Sequence, residues 1–151
     1  MRHIDGDTFD FGGMQVSVLS PPADWHTTAQ PKNNDSLVFQ IHFGESSMLL
    51  EGDAERAVEQ RMAASHELKS DLPTVAHHGS ATSSTAEFVH TVHPRWAIIS
   101  VGFGNTFGHP RRETLEHLQE EGSLTYRTDR NGAVTFYLDG HTISPQLASV
   151  R

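Results

Sequence analysis

The 151-residue chain has no cysteine, which excludes disulfides and thiolate metal sites and leaves the redox compartment open. No apolar run approaches the roughly 18 residues of a membrane-spanning helix, so no direct membrane insertion is expected. The N-terminus lacks the basic-then-apolar pattern of a secretory signal, which makes a cytoplasmic location the default expectation. Positive charge is scarce: 11 lysines and arginines stand against 19 acidic residues, a net charge of -8. Such a balance argues against a broad basic face for nucleic acid. It does not exclude a nucleic-acid substrate held through a divalent ion, which supplies positive charge locally. There is no internal repeat and no low-complexity segment. The length fits one domain over residues 1–151, with a weakly patterned tail over 141–151.

What the chain has in quantity is histidine, 11 residues in all. Their placement depends on the coarse pattern around them. Residues 14–20 alternate apolar and polar as a strand that stops at Pro21-Pro22, and residues 23–32 read as a loop. Leu37, Phe39, Ile41 and Phe43 then share one strand face, and Gly44-Glu45-Ser46 turns the chain into a second strand. A helix is predicted over 54–65 with Ala54, Ala57, Val58 and Met62 on its buried stripe, then an apolar strand over 72–76. Ser84 to Glu87 fits a capping box for the next helix, which must end before Pro94. Residues 96–101 are apolar on both faces, Pro110 opens a third helix and Gly122 closes it. A last hairpin is predicted from 124–128 through Asn131-Gly132 into Val134, Phe136 and Leu138. Strand and helix alternate through the middle, flanked by hairpins, so the fold class is layered α/β with a mixed sheet.

Three successive strands end in polar, glycine-containing loops: Glu51-Gly52-Asp53, then Ala76-His77-His78-Gly79-Ser80, then Gly102 to Pro110. Ligands of α/β sheets collect beyond the carboxyl ends of strands. A carboxylate with imidazoles at one such edge has the donor chemistry of a divalent-metal site. Asp53 also precedes a helix, where aspartate is a strong N-cap, so both roles stay open. In an extended chain His77 and His78 point to opposite faces, so at most one can enter a core. His109 sits at the N-cap side of its helix, where the dipole favours a neutral ring. His42 and His117 read as solvent-facing. Two strings are decoys: His3 to Asp7 looks like a turn, and Gly102 to Gly108 has the wrong glycine spacing for a dinucleotide loop.

Taken in order, Asn33-Asn34-Asp35-Ser36, Leu49 to Asp53, His77 to Ser80, Asn105 with Gly108-His109-Pro110, and Tyr126 to Asp129 form a series. That series resembles the C-terminal metallo-β-lactamase-like domain of ComEC-type competence proteins, which take DNA into bacterial cells. The likeness runs from about residue 6 to about residue 138. It implies the second half of an αββα metallo-hydrolase sandwich and a divalent-metal hydrolase using zinc or manganese. The implied activity is that of a phosphodiesterase or nuclease on DNA, single-stranded during uptake. Asp53 then matches the metal-bridging aspartate and, with His78, carries catalysis. His77, His78 and His109 are the imidazole candidates, with the choice among them open. Asn34, Ser80 and Asn105 fall behind the ligands or against substrate.

The family's H-x-H-x-D-H string has no counterpart here, and Glu51 stands where the family carries threonine. The resemblance therefore implies an N-terminally truncated, partial domain. Its missing half and a membrane channel domain would be supplied elsewhere, which would make it membrane-associated. Two readings follow: a hydrolase completed by another segment, or a non-catalytic remnant or adaptor of a DNA-uptake assembly, with self-association into a homo-oligomer open.

Overall fold

The computed structural model describes residues 3–26 and 29–147. Two positions of the loop predicted over 23–32 (27 and 28) and the last four residues of the tail lie outside the described residues. Alternating side chains build the antiparallel part of the main sheet from β1 (Thr8–Phe11), β2 (Met14–Ser20), β3 (Val38–Phe43) and β4 (Ser46–Leu50). The chain then alternates α1 (Arg56–Ser65), β5 (Leu72–Thr74), α2 (Ala86–Val92), β6 (Trp96–Ile99), α3 (Arg112–Glu120) and β7 (Leu124–Arg127). One seven-stranded sheet results, in the order β1-β2-β3-β4-β5-β6-β7, antiparallel as far as β4 and parallel from β4 to β7. Strands that step sideways in one direction through right-handed crossovers put their helices on one face.

The core follows from that placement. Leu19, Val38 and Leu49 pack against Val58, Met62 and Phe88 of the first two helices. Val75, Ala97 and Ile99 pack against Val89 and Leu118. The opposite face carries Leu72 and Trp96, covered by a small second sheet of β8 (Val134–Leu138) and β9 (Ile143–Leu147) through Phe136 and Ile143. Main sheet and small sheet meet at Gly44, where an added Cβ would lie 2.2 Å from the Gly140 carbonyl oxygen. Glu45 N donates to that same oxygen at 2.6 Å.

Several sequence expectations are corrected. No hairpin joins the strand at 124–128 to Val134, because a one-turn helix, α4 (Thr128–Asn131), intervenes, and β8 pairs instead with the tail as β9. Asn131 Oδ1 accepts from Arg127 N at 2.8 Å, so the Asn131-Gly132 signal serves a helical turn. Thr85, not Ser84, caps α2, accepting from Phe88 N, while Ser84 is left-handed at φ 53. Pro110 precedes α3 rather than opening it, since the N-cap is Arg111. In the third strand the alternate face, Val38 and Gln40, is the deeply buried one, and Phe39, Ile41 and Phe43 are half-buried. Ala57 of the expected helix stripe is exposed, and its place in the interior is taken by Glu59. His117 is not solvent-facing: it is half-buried, and its Nδ1 lies 2.9 Å from the Ser84 carbonyl oxygen.

The turn that closes the β8–β9 hairpin carries a pH dependence of its own. Backbone N–H groups of Thr142 and His141, with the Thr142 hydroxyl, hold the Asp139 carboxyl down at about 2. A folded-state value below the unfolded one means stability present near neutral pH and lost as pH falls through about 2. Protection of the His141 and Thr142 amides, relative to their intrinsic exchange rates, should fall over that window in the native chain. In Asp139→Asn it should be low throughout; equal protection in the two proteins would refute the turn's role.

Candidate metal centre

Adjacent parallel strands β4, β5 and β6 deliver the three polar loops to one edge of the sheet. His77 N donates to Gly52 O at 2.9 Å and Arg111 N to Gly79 O at 2.8 Å, so the central loop is stitched to both neighbours. That loop is a tight turn, Ala76–Gly79, rather than the extended chain on which the opposite-faces reading of His77 and His78 rested. His77 (φ 49) and His78 (φ 56) are both left-handed, followed by Gly79 at φ 82. Non-glycine residues in this region cost about 1–2 kcal/mol each and persist where the surroundings fix them.

The His78 ring is fixed by its neighbours. Its Nδ1 lies 2.7 Å from the Ser100 carbonyl oxygen, which can only accept, so Nδ1 carries the proton. The Nε2 lone pair therefore faces Asp53 Oδ1, 3.8 Å away. That separation is too long for a hydrogen bond. It is within the span of two bonds to one divalent ion, each about 2.0–2.2 Å. Backbone anchoring of the far ring nitrogen is the arrangement that orients histidine ligands. Asp53 does not cap the first helix, contrary to one of its two sequence readings. The N-cap is Glu55, whose N–H is taken by Asn34 Oδ1 at 2.9 Å.

His77 faces a different set. Its Nδ1 is 3.6 Å from Glu55 Oε1, to which the Thr82 hydroxyl donates at 3.0 Å. Its ring centroid lies 5.8 Å from His109 and 6.5 Å from His78. His109 has a buried Nδ1 without a hydrogen-bond partner. Burial, then Arg111, His77 and His78, holds this imidazole below its ordinary value, which favours the neutral ring. His109 does not sit at the start of α3 as expected, since the helix begins at Arg112 with Arg111 as its N-cap. Asn105 pins His109 from both sides, accepting from its N–H at 3.1 Å and donating to its carbonyl at 2.8 Å.

The site thus brings together Asp53, His77, His78 and His109, with Asn105 as the support of His109. Asn34 instead shapes the start of α1, and buried Ser80 reaches the site only through Thr82, 3.0 Å from its hydroxyl. Among the described residues no three histidine or carboxylate side chains are arranged to hold an ion by themselves. The donor chemistry fits a divalent ion at Asp53 and His78 as two of its ligands, short of a closed shell. Glu55 and Thr82 were missed in the sequence because a carboxylate in a first helical turn and a threonine in a polar loop have ordinary explanations there. Glu51, one residue inside the loop, is buried with Oε2 unpartnered, and desolvation first, then Glu59, pushes its carboxyl well up.

No known protein-family profile matches the chain. It is 38% identical over 132 residues to ComE operon protein 3 of Bacillus subtilis, covering 87% of this chain and 17% of that protein. It is 29% identical over 143 residues to Competence protein ComA of Neisseria gonorrhoeae, covering 91% of this chain and 20% of that one. The chain therefore spans about a fifth or less of the length of these relatives. Among solved structures, a variant of the CmlA beta-hydroxylase superposes with a TM-score of 0.53 at 16% identity, over 82% of this chain and 31% of that one. That neighbour has the metallo-β-lactamase fold, which agrees with the mixed sheet and its one-sided helices. The chain is a metallo-β-lactamase-like domain of the ComEC family of competence proteins, matching a domain-sized part of them as their C-terminal domain would.

Proposed function

We propose that this domain is part of a metal-dependent hydrolase, a phosphodiesterase acting on DNA, that works in competence-related DNA uptake. The observation that carries the reading is the locked His78 ring with its Nε2 lone pair facing Asp53 at 3.8 Å. Asp53 and His78 would hold a divalent ion, zinc or manganese, with His77 or His109 beside them and the remaining ligands supplied by another segment or chain. Such an ion, when bound, supplies an acidified water and counter-charge for a phosphoryl oxygen. The chain's own part is to orient and to move protons. His109, held toward the neutral form by burial and its cationic neighbours, would be available to carry a proton, and Asn105 keeps it at the lip of the site. Glu55 and Thr82 set the direction of the His77 ring.

Metal content of the purified chain tests this directly. The wild type should retain zinc or manganese after dialysis without chelator. Asp53→Ala and His78→Ala should each lower the affinity at least tenfold, since even residues behind a ligand are worth about 10- to 100-fold. Equal metal in all three proteins, or none in any, would sink the proposal. The latter outcome would favour the second reading, a non-catalytic adaptor, which the shortage of closely arranged donors among the described residues supports. Among the described residues no helix is long and apolar enough to cross a membrane.

A further inference from the structure

Strands β6 and β7 pair in register as far as Ile99 and Arg127, and at Thr128 the chain turns away into α4. Its backbone therefore no longer pairs with Ser100 and Val101, which continue β6 toward the site. The Thr128 hydroxyl takes over. It accepts from Val101 N at 2.7 Å and donates to Val101 O at 2.8 Å, filling the place of a strand partner. Thr128 is itself held in position. Arg127 and Asp129, on either side of it in the chain, close a bidentate ion pair at 3.0 and 2.6 Å, each side chain only 14% exposed.

The N–H that Thr128 engages belongs to the same planar peptide unit as the Ser100 carbonyl, because the Ser100 carbon and the Val101 nitrogen share one amide bond. The N–H and C=O of a trans peptide point in opposite directions. One meets Thr128, and the other accepts from His78 Nδ1 at 2.7 Å. A single rigid plate thus links the Thr128 hydroxyl to the His78 ring. Donation from the amide N–H also polarises the carbonyl, which strengthens its hold on the imidazole proton.

We infer that Thr128 is a positioning residue of the candidate metal centre, fixing the His78 ring through the Ser100–Val101 peptide so that Nε2 keeps its aim at Asp53. The inference rests on the metal-centre reading for its consequence, whereas the chain of hydrogen bonds stands without it. Ser100 is exposed, so water competes for its carbonyl whenever the plate tilts. Without the hydroxyl, the N–H of buried Val101 loses its partner, and the peptide rotates to recover one. A ring whose Nδ1 acceptor has moved exchanges tautomers. Part of the population then carries the proton on Nε2, where a metal needs the lone pair.

The test is the side-chain nitrogen NMR spectrum of His78 in the full, metal-free chain at about pH 8.5, above the ordinary imidazole range. The wild type should show the Nδ1–H tautomer, with the Val101 amide protected from exchange. Thr128→Val keeps the shape and removes the hydroxyl. It should give a mixture of tautomers and lower zinc affinity about tenfold, the low end of what residues behind a ligand contribute. Thr128→Ser should restore both. Mixed tautomers or an unprotected Val101 amide in the wild type would overturn the inference without any variant. So would an unchanged His78 tautomer in Thr128→Val, or a serine variant no better than the valine one. An unchanged tautomer in a valine variant that still binds zinc removes this inference alone. The tautomer shift in a chain whose wild type binds no zinc removes the metal reading alone.

Discussion

Gly79→Ala should destabilise the domain by about 2–5 kcal/mol and dismantle the histidine loop. Gly79 sits at φ 82, a conformation that costs an alanine about 1–2 kcal/mol. Its missing side chain also makes room for a neighbour. A Cβ built there would lie 2.5 Å from Pro110 Cβ and 3.0 Å from Pro110 Cα. Both atoms belong to a ring fused to the backbone, so relief requires moving the chain that follows His109, and overpacking of this kind costs about 1–3 kcal/mol. The two contributions separate in a control. Gly122, just past α3, has a similar φ of 73 with nothing within 4 Å of a built Cβ. Gly122→Ala should therefore cost only the conformational part, about 1–2 kcal/mol. Urea unfolding of both variants decides the matter: equal losses would mean that the contact with Pro110 is slack. If the contact is tight, Gly79→Ala should also lose metal, because Arg111 N to Gly79 O ties the histidine loop to the loop bearing His109.

That contact shows which features of the site the sequence could display. The convergence of Asp53, His77, His78 and His109 was legible because each follows an apolar strand, and strands β4, β5 and β6 are neighbours in the sheet. The conformation of the loops was not. Adjacent histidines after an apolar run suggest extended chain, while His77 and His78 are left-handed under constraints from Gly52, Ser100 and Pro110, all remote in sequence. The tail failed for another reason. In β9 only Ile143 is buried, so alternation has nothing to mark, and the strand exists because β8 pairs with it over the Trp96 face. Capping failed where a tertiary partner replaced a local one. Glu87 is the expected partner of Ser84, and Glu59, on another helix, is the one that binds it.

Replacing Glu59 should therefore be the second large effect. Its side chain is fully buried between α1 and α2, at 0% exposure. One carboxyl oxygen accepts from Ser84 N in a short hydrogen bond, and the other accepts from Thr85 N at 3.1 Å and the Thr85 hydroxyl at 3.0 Å. These are free donors at the start of α2, which no preceding turn can satisfy. Burial raises the carboxyl above its ordinary value, opposed by those hydrogen bonds and by Arg56. Glu59→Ala would leave buried N–H groups unpartnered, at about 1–3 kcal/mol each, and would open a cavity as well. A loss of about 3 kcal/mol or more is expected. Glu59→Gln nearly keeps the volume but turns an NH₂ toward one of the donors, so it should lose about 1–2 kcal/mol. A glutamine variant as stable as the wild type would reduce Glu59 to a space-filler. The segment held by these bonds begins at His77 and runs through Thr82, and Ser83 Oγ adds a buried bond of 2.7 Å to Ala54 O beside Asp53. Glu59 acts on the site only through this anchoring. Metal affinity should accordingly fall in Glu59→Ala and largely recover in Glu59→Gln, following stability, whereas Asp53→Ala should lower metal affinity at least tenfold with little change in the unfolding midpoint of the metal-free protein.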